Sequence, residues 1–112
     1  MNGRIIQFYE FKDCFVVRLD ELNDLKESKA LRAYHYADRN FQVKWEFPYN
    51  YIIGMSPIIP ELKKVVDFYM PEIYYEFMNK YKGKELLQVF AGEFQFIIDA
   101  NTGEIYEKMD SR

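Results

Sequence analysis

Serine, threonine, histidine and cysteine are nearly missing from this 112-residue chain, which has 3 Ser, 1 Thr, 1 His and 1 Cys. These side chains do most nucleophilic and acid–base chemistry, so their scarcity weighs against an enzyme. It does not exclude one, because tyrosines and carboxylates can act together in a pocket. The lone Cys14 allows no intrachain disulfide, which suits a reducing compartment. One His and one Cys cannot supply the common zinc ligand sets, so no metal is expected. The five glycines are scattered and form no phosphate-binding loop, and no cofactor is expected. Long apolar runs are missing too: nothing approaches the ~18 residues that span a bilayer. The first ten residues lack the apolar stretch and small-residue cleavage site of a secretory signal. The expectation is a cytoplasmic protein that makes no membrane contact. With no internal repeat, low-complexity tract or linker, residues 1–112 read as one domain. A chain of this size buries roughly 65% of its unfolded surface.

Charge of one sign is also lacking. Fifteen basic and 18 acidic side chains leave a net charge of −3. That gives no general attraction to nucleic acid, which ranks last among the partners considered.

Aromatics are what the chain has in excess, with 10 Tyr, 10 Phe and 1 Trp. Such side chains dominate cores and interfaces, and Tyr and Trp are enriched where proteins meet proteins. Rich in binding groups and poor in reactive ones, the sequence favours a binding protein.

Periodicity predicts an α+β fold. Apolar runs at 5–11 and 14–19, rich in Phe, Tyr, Val and Ile, flank Lys12-Asp13 and read as a hairpin. Residues 20–29 read as a short helix with Asp20 at the N-cap. Continued through Ala37, that helix would have no consistent apolar face, since Leu31 and Tyr34 fall on a different side from Leu22 and Leu25; the alternative preferred is a strand at 31–37 that turns at Asp38-Arg39-Asn40. The alternation in 41–47 marks a half-buried strand that Pro48 ends, and Pro57 and Pro60 bracket a connecting segment. The strongest helical pattern covers 60–82, with Leu62, Val65, Val66, Tyr69, Met70, Ile73, Phe77 and Tyr81 on one stripe and Pro71 as a kink. Gly83 sits where helices end. Strands at 86–91, 93–99 and 104–109 follow, the last two joined by Ala100-Asn101-Thr102-Gly103. The expected architecture is an antiparallel sheet of hairpins packed against this long, Pro-kinked helix, with a second short helix. Residues 96–106 resemble the strand–turn–strand of PepSY-type domains. That is eleven residues of generic hairpin chemistry, and neither family nor function is assigned from it.

The candidate partner-binding residues follow from these elements. Phe68 and Tyr75 lie off the main helical stripe and Met78 flanks its other side; they would form a partner or homodimer surface, or else be buried under a loop such as 50–59. Glu72 and Glu76 share a helix side, and with Asp13, Asp20, Glu21 and Asp24 they could steer a basic partner. Tyr34 and Tyr36 flank His35, a histidine with no partner that sequence can place beside it. Lys80, Lys82 and Lys84 interleave with Tyr81, a pattern seen on single-strand-binding surfaces but also at helix C-termini. No catalytic residue is assigned. The function expected is a small intracellular, non-enzymatic inhibitor of the immunity, antitoxin or anti-defence kind that blocks a partner protein. The alternative is a small-ligand domain with an aromatic pocket between sheet and helix.

Overall fold

A computed structural model describes residues 4–20, 30–35, 42–58 and 79–110. Within them the chain is a β protein, not the α+β fold that periodicity predicts. Eight strands run in chain order: β1 (Ile5–Glu10), β2 (Cys14–Leu19), β3 (Leu31–His35), β4 (Val43–Glu46), β5 (Ile52–Ile58), β6 (Leu86–Ala91), β7 (Phe94–Asp99) and β8 (Ile105–Asp110). They form two four-stranded sheets, β1-β2-β3-β4 and β5-β6-β7-β8, and every pair is antiparallel. No helix is among the described elements. The helices expected over 20–29 and 60–82 lie almost wholly outside the described residues; of the second, residues 79–80 are helical and 81–83 form a turn.

The expectation went astray at β5. Pro57 sits inside this strand, and its proline marked the segment as a connection. β5 is an edge of its sheet, where a missing N–H costs no ladder bond if it faces outward. Once β5 is a strand, the second half of the chain makes its own sheet. The two sheets then share one apolar core, so each covers one face of the other.

One apolar core lies between the sheets. Cys14, Val16, Leu31, Ala33, Trp45 and Phe47 come from the first; Ile52, Met55, Leu87, Val89, Ala91, Phe96 and Ile98 come from the second. Polar groups tie the layers together. Arg18 donates through Nη1 to Gln7 Oε1 and through Nη2 to the Ile52 carbonyl, both at 2.8 Å. Gln7 Nε2 donates to the Met55 carbonyl at 3.0 Å. At the other end of β2, Asn101 Oδ1 accepts from Asp13 N (2.9 Å) and Glu85 Oε1 accepts from Lys12 N (2.7 Å). The Ala100 carbonyl accepts from both Trp45 Nε1 and Cys14 Sγ, each at 3.0 Å. These bonds seat the β1–β2 turn on the β7–β8 loop.

The outer faces are partly apolar as well. Val17, Leu19 and Tyr34 cluster with Phe15 behind the first sheet. Tyr81, Leu86 and Ile97 cluster with Ile58 and Tyr106 behind the second. Strands buried on both sides lose their alternation, and four of the five residues of β3 are buried. The strand expected at 31–37 is thus observed over 31–35, without alternation, and residues 36–37 lie outside the described residues.

Candidate functional site

At one end of the second sheet an open aromatic pocket of about 210 Å³ lies between the β4–β5 loop and the β6–β7 turn. Local chain chemistry builds it. Pro48 follows directly on the last core residue of the first sheet, Phe47, and the chain crosses to β5 through Tyr49, Asn50 and Tyr51. Tyr51 takes φ 61°, a left-handed conformation that costs a non-glycine residue roughly 1–3 kcal/mol unless its surroundings impose it. Here the Tyr51 carbonyl accepts the Gly92 N–H at 3.0 Å. Asn50 Oδ1 accepts from Ala30 N at 3.1 Å, anchoring the loop's middle. Opposite, β6 and β7 join through Gly92-Glu93 with Gly92 at φ 58°, the position that tight hairpin turns reserve for glycine.

Phe96, 2% exposed, is the floor. Tyr49 stacks on it at 5.3 Å and 21°, and Phe94 lies 6.4 Å away on the same strand face. Lys108, the Cα partner of Phe96 on β8, reaches across all three rings. Its Nζ is 4.2 Å from the Phe94 centroid, 5.7 Å from Tyr49 and 5.9 Å from Phe96. An ammonium over ring faces gains about 0.5–2 kcal/mol, which fixes a cation at the mouth of an apolar cleft. Of the other lining side chains, Tyr51 is 81% exposed. A cleft of this kind can take one bulky apolar group with an anionic group beside it.

A second constellation, on the outer face of the second sheet, is internally satisfied. Tyr81 and Tyr106 stack at 5.1 Å. Tyr81 OH donates to Glu107 Oε2 (2.8 Å) and Tyr106 OH to Asp99 Oδ2 (2.7 Å). Burial first, and then these bonds to carboxylates, push the Tyr106 phenol up to about 12 and raise that of Tyr81. Both phenols are held as donors rather than made acidic. Tyr81 is only 5% exposed, so the aromatic among Lys80, Lys82 and Lys84 offers no stacking platform for bases.

Of the residues singled out in sequence, Phe68, Glu72, Tyr75, Glu76, Met78, Tyr36, Glu21 and Asp24 lie outside the described residues. Tyr34 is 4% exposed and stacks on Phe15 at 5.5 Å behind the first sheet. Asp13 and Asp20 flank β2 at opposite ends, so the fold does not gather them into one patch. His35 is exposed at the end of β3 and is the Cα partner of Cys14, whose thiol burial pushes up to about 11. Among the described residues no three His, Cys, Asp or Glu side chains come together as a metal-binding group. Nor, among them, is any helix long and apolar enough to cross a membrane.

Sequence reasoning missed Tyr49, Tyr51, Phe94 and Lys108. Phe94 and Phe96, two apart on one strand, were legible as sharing a face, and Lys108 followed from the hairpin register. Nothing local places Tyr49 beside them, because that contact joins segments almost fifty residues apart. Compared with protein-family models, curated proteins and solved structures, the chain matches none.

Proposed function

We propose that this chain is a non-enzymatic protein-binding module that blocks a partner protein, gripping it at the pocket between the β4–β5 loop and the β6–β7 turn. The observation that carries this reading is Lys108 poised over Tyr49, Phe94 and Phe96 in a cleft of about 210 Å³. Pockets for drug-sized ligands run from roughly 300 to 1,000 Å³. A smaller, open cleft ringed by the exposed aromatics Tyr49, Tyr51 and Phe94 suits a single anchoring side chain, the pattern of an interface hot spot. Lys108 adds a preference for acidic residues beside that anchor. An inhibitor of the immunity or antitoxin kind needs such a surface and no reactive groups. A reducing, cytoplasmic setting belongs to the same proposal and rests on the single, buried Cys14.

Selection from a random-peptide library tests it. Wild-type protein should enrich sequences with an aromatic residue next to Asp or Glu. Tyr49→Ser should weaken the selected peptides at least about tenfold, and Lys108→Glu should abolish the acidic preference. Equal enrichment on wild type and both variants, or none on any, would overturn the reading. A parallel titration with phenylacetate and indole-3-acetate covers the small-ligand alternative. Micromolar binding of either acid, without any peptide enrichment, would favour that alternative.

A further inference from the structure

We infer that Lys108 is an anion-operated gate on the aromatic cleft, so that the site selects ligands carrying a negative charge beside their apolar anchor. The gate rests on the partner-binding reading of this cleft and decides which partners enter it. Two of the three rings around the ammonium are already engaged. Phe96 is 2% exposed, with Tyr49 stacked on it at 5.3 Å and Phe47 edge-on at 5.0 Å. Tyr49 also meets Phe47 edge-on, at 5.7 Å. Phe94 is held more loosely: it meets Phe96 tilted and at 6.4 Å, and it stays 38% exposed. It is the ring face that the cleft presents to an incoming anchor.

A cation covers that face. Lys108 Nζ stands over the Phe94 ring, 4.2 Å from its centroid, a separation of contact size. An anchor stacks there only after the ammonium has left. Register puts the lysine in place: it lies directly opposite Phe96 on β8, and directly opposed side chains share a sheet face. β8 is an edge strand and Lys108 is exposed, so its flexible stem has solvent to swing into.

Leaving strips the ammonium of its contacts with Phe94, Tyr49 and Phe96. A carboxylate beside the anchor replaces them with a charge-assisted hydrogen bond. A neutral anchor brings no replacement, and the lost ring contacts weaken its binding about two- to thirtyfold. Glu93 also lines the cleft. It sits in the β6–β7 turn, whereas Lys108 stands on β8, so the incoming anion is drawn to the β8 side. A lysine that only attracted acids from beside the cleft would leave neutral anchors unaffected.

Phenylacetate and its neutral isostere phenylacetamide, titrated by NMR into wild type, Lys108→Ala and Lys108→Arg, test this. Wild type should bind the acid more tightly than the amide. In Lys108→Ala the amide should gain about two- to thirtyfold, and the acid, which loses its ion pair, should gain less. Lys108→Arg keeps both charge and ring contact and should keep the wild-type order. The Lys108 Cε protons, shifted upfield by the rings in the free protein, should move downfield as phenylacetate binds. Equal affinity of the amide for wild type and Lys108→Ala overturns the gate, because Lys108 then attracts without blocking. Lys108 resonances that stay in place overturn it too, as does the absence of binding by either probe to all three proteins. Peptide selection reads the underlying proposal separately. Enriched peptides with unchanged amide affinity keep the binding module and remove the gate, whereas the amide gain without enriched peptides supports the gate on a small-ligand site.

Discussion

Gly103 shows how one position can be constrained twice. Its φ is 78°, as the loop between β7 and β8 requires. A Cβ there would also stand 2.7 Å from Cγ and Cδ2 of Trp45 and 3.0 Å from its Cβ. Those atoms belong to the stem of a buried indole that donates to the Ala100 carbonyl, so the ring cannot swing away without breaking that bond. Gly92 has a similar φ of 58° but open space around it. The two glycines separate the causes. Gly92→Ala should cost about 1–2 kcal/mol from the left-handed backbone alone. Gly103→Ala should cost roughly 2–5 kcal/mol, since displacing a packed core group adds about 1–3. Denaturant melts of the two variants check it; equal losses would mean that Trp45 yields freely. The left-handed turn at Gly103 was legible in Ala-Asn-Thr-Gly between two apolar runs. The indole above it was not, because Trp45 lies in the other half of the chain.

Elements carried different amounts of information. Strands 14–19 and 86–91 were legible to the residue, because β-branched and aromatic runs between turn residues leave little choice. β5 was hidden by Pro57, and the apolar pattern around it was assigned to a loop. The pocket was hidden with it, since its Tyr49–Tyr51 wall exists only where the chain enters β5. The β7–β8 pair also makes a testable pH device. The Tyr106 phenol stands at about 12 against an ordinary 10.0, so the folded state prefers it protonated. A raised value contributes stability that is complete below pH 10 and fades as pH climbs toward 12. Stability should therefore fall through this alkaline window in the wild type. Tyr106→Phe should flatten that fall while leaving its own neutral-pH loss of the bond to Asp99. Urea midpoints at pH 8 to 12 measure both; parallel slopes for the two proteins would remove Tyr106 from the account.

The two sheets, taken together, should behave as one folding unit although each is a complete meander. A meander pairs only neighbours in sequence, so each half could in principle form alone. Alone, however, neither half closes its inner face: the shared core draws Val16, Trp45 and Phe47 from one sheet and Leu87, Phe96 and Ile98 from the other. Arg18, Asn101 and Glu85 add bonds that exist only when both sheets are in place. Loss of either layer would expose the apolar face of the other and leave these polar groups to water. Val16→Ala and Leu87→Ala should therefore each lower stability through a single transition. The expected cost is about 1–3 kcal/mol for the smaller valine and about 2–5 for leucine. The denaturant dependence should stay unchanged, because the same surface is exposed on unfolding. Native-state hydrogen exchange gives the sharper reading. In Val16→Ala the slowest amides of β6 and β7 should lose as much protection as those of β2 and β3. If β6 and β7 keep their wild-type protection while β2 and β3 exchange freely, the sheets unfold separately and the shared core does not couple them.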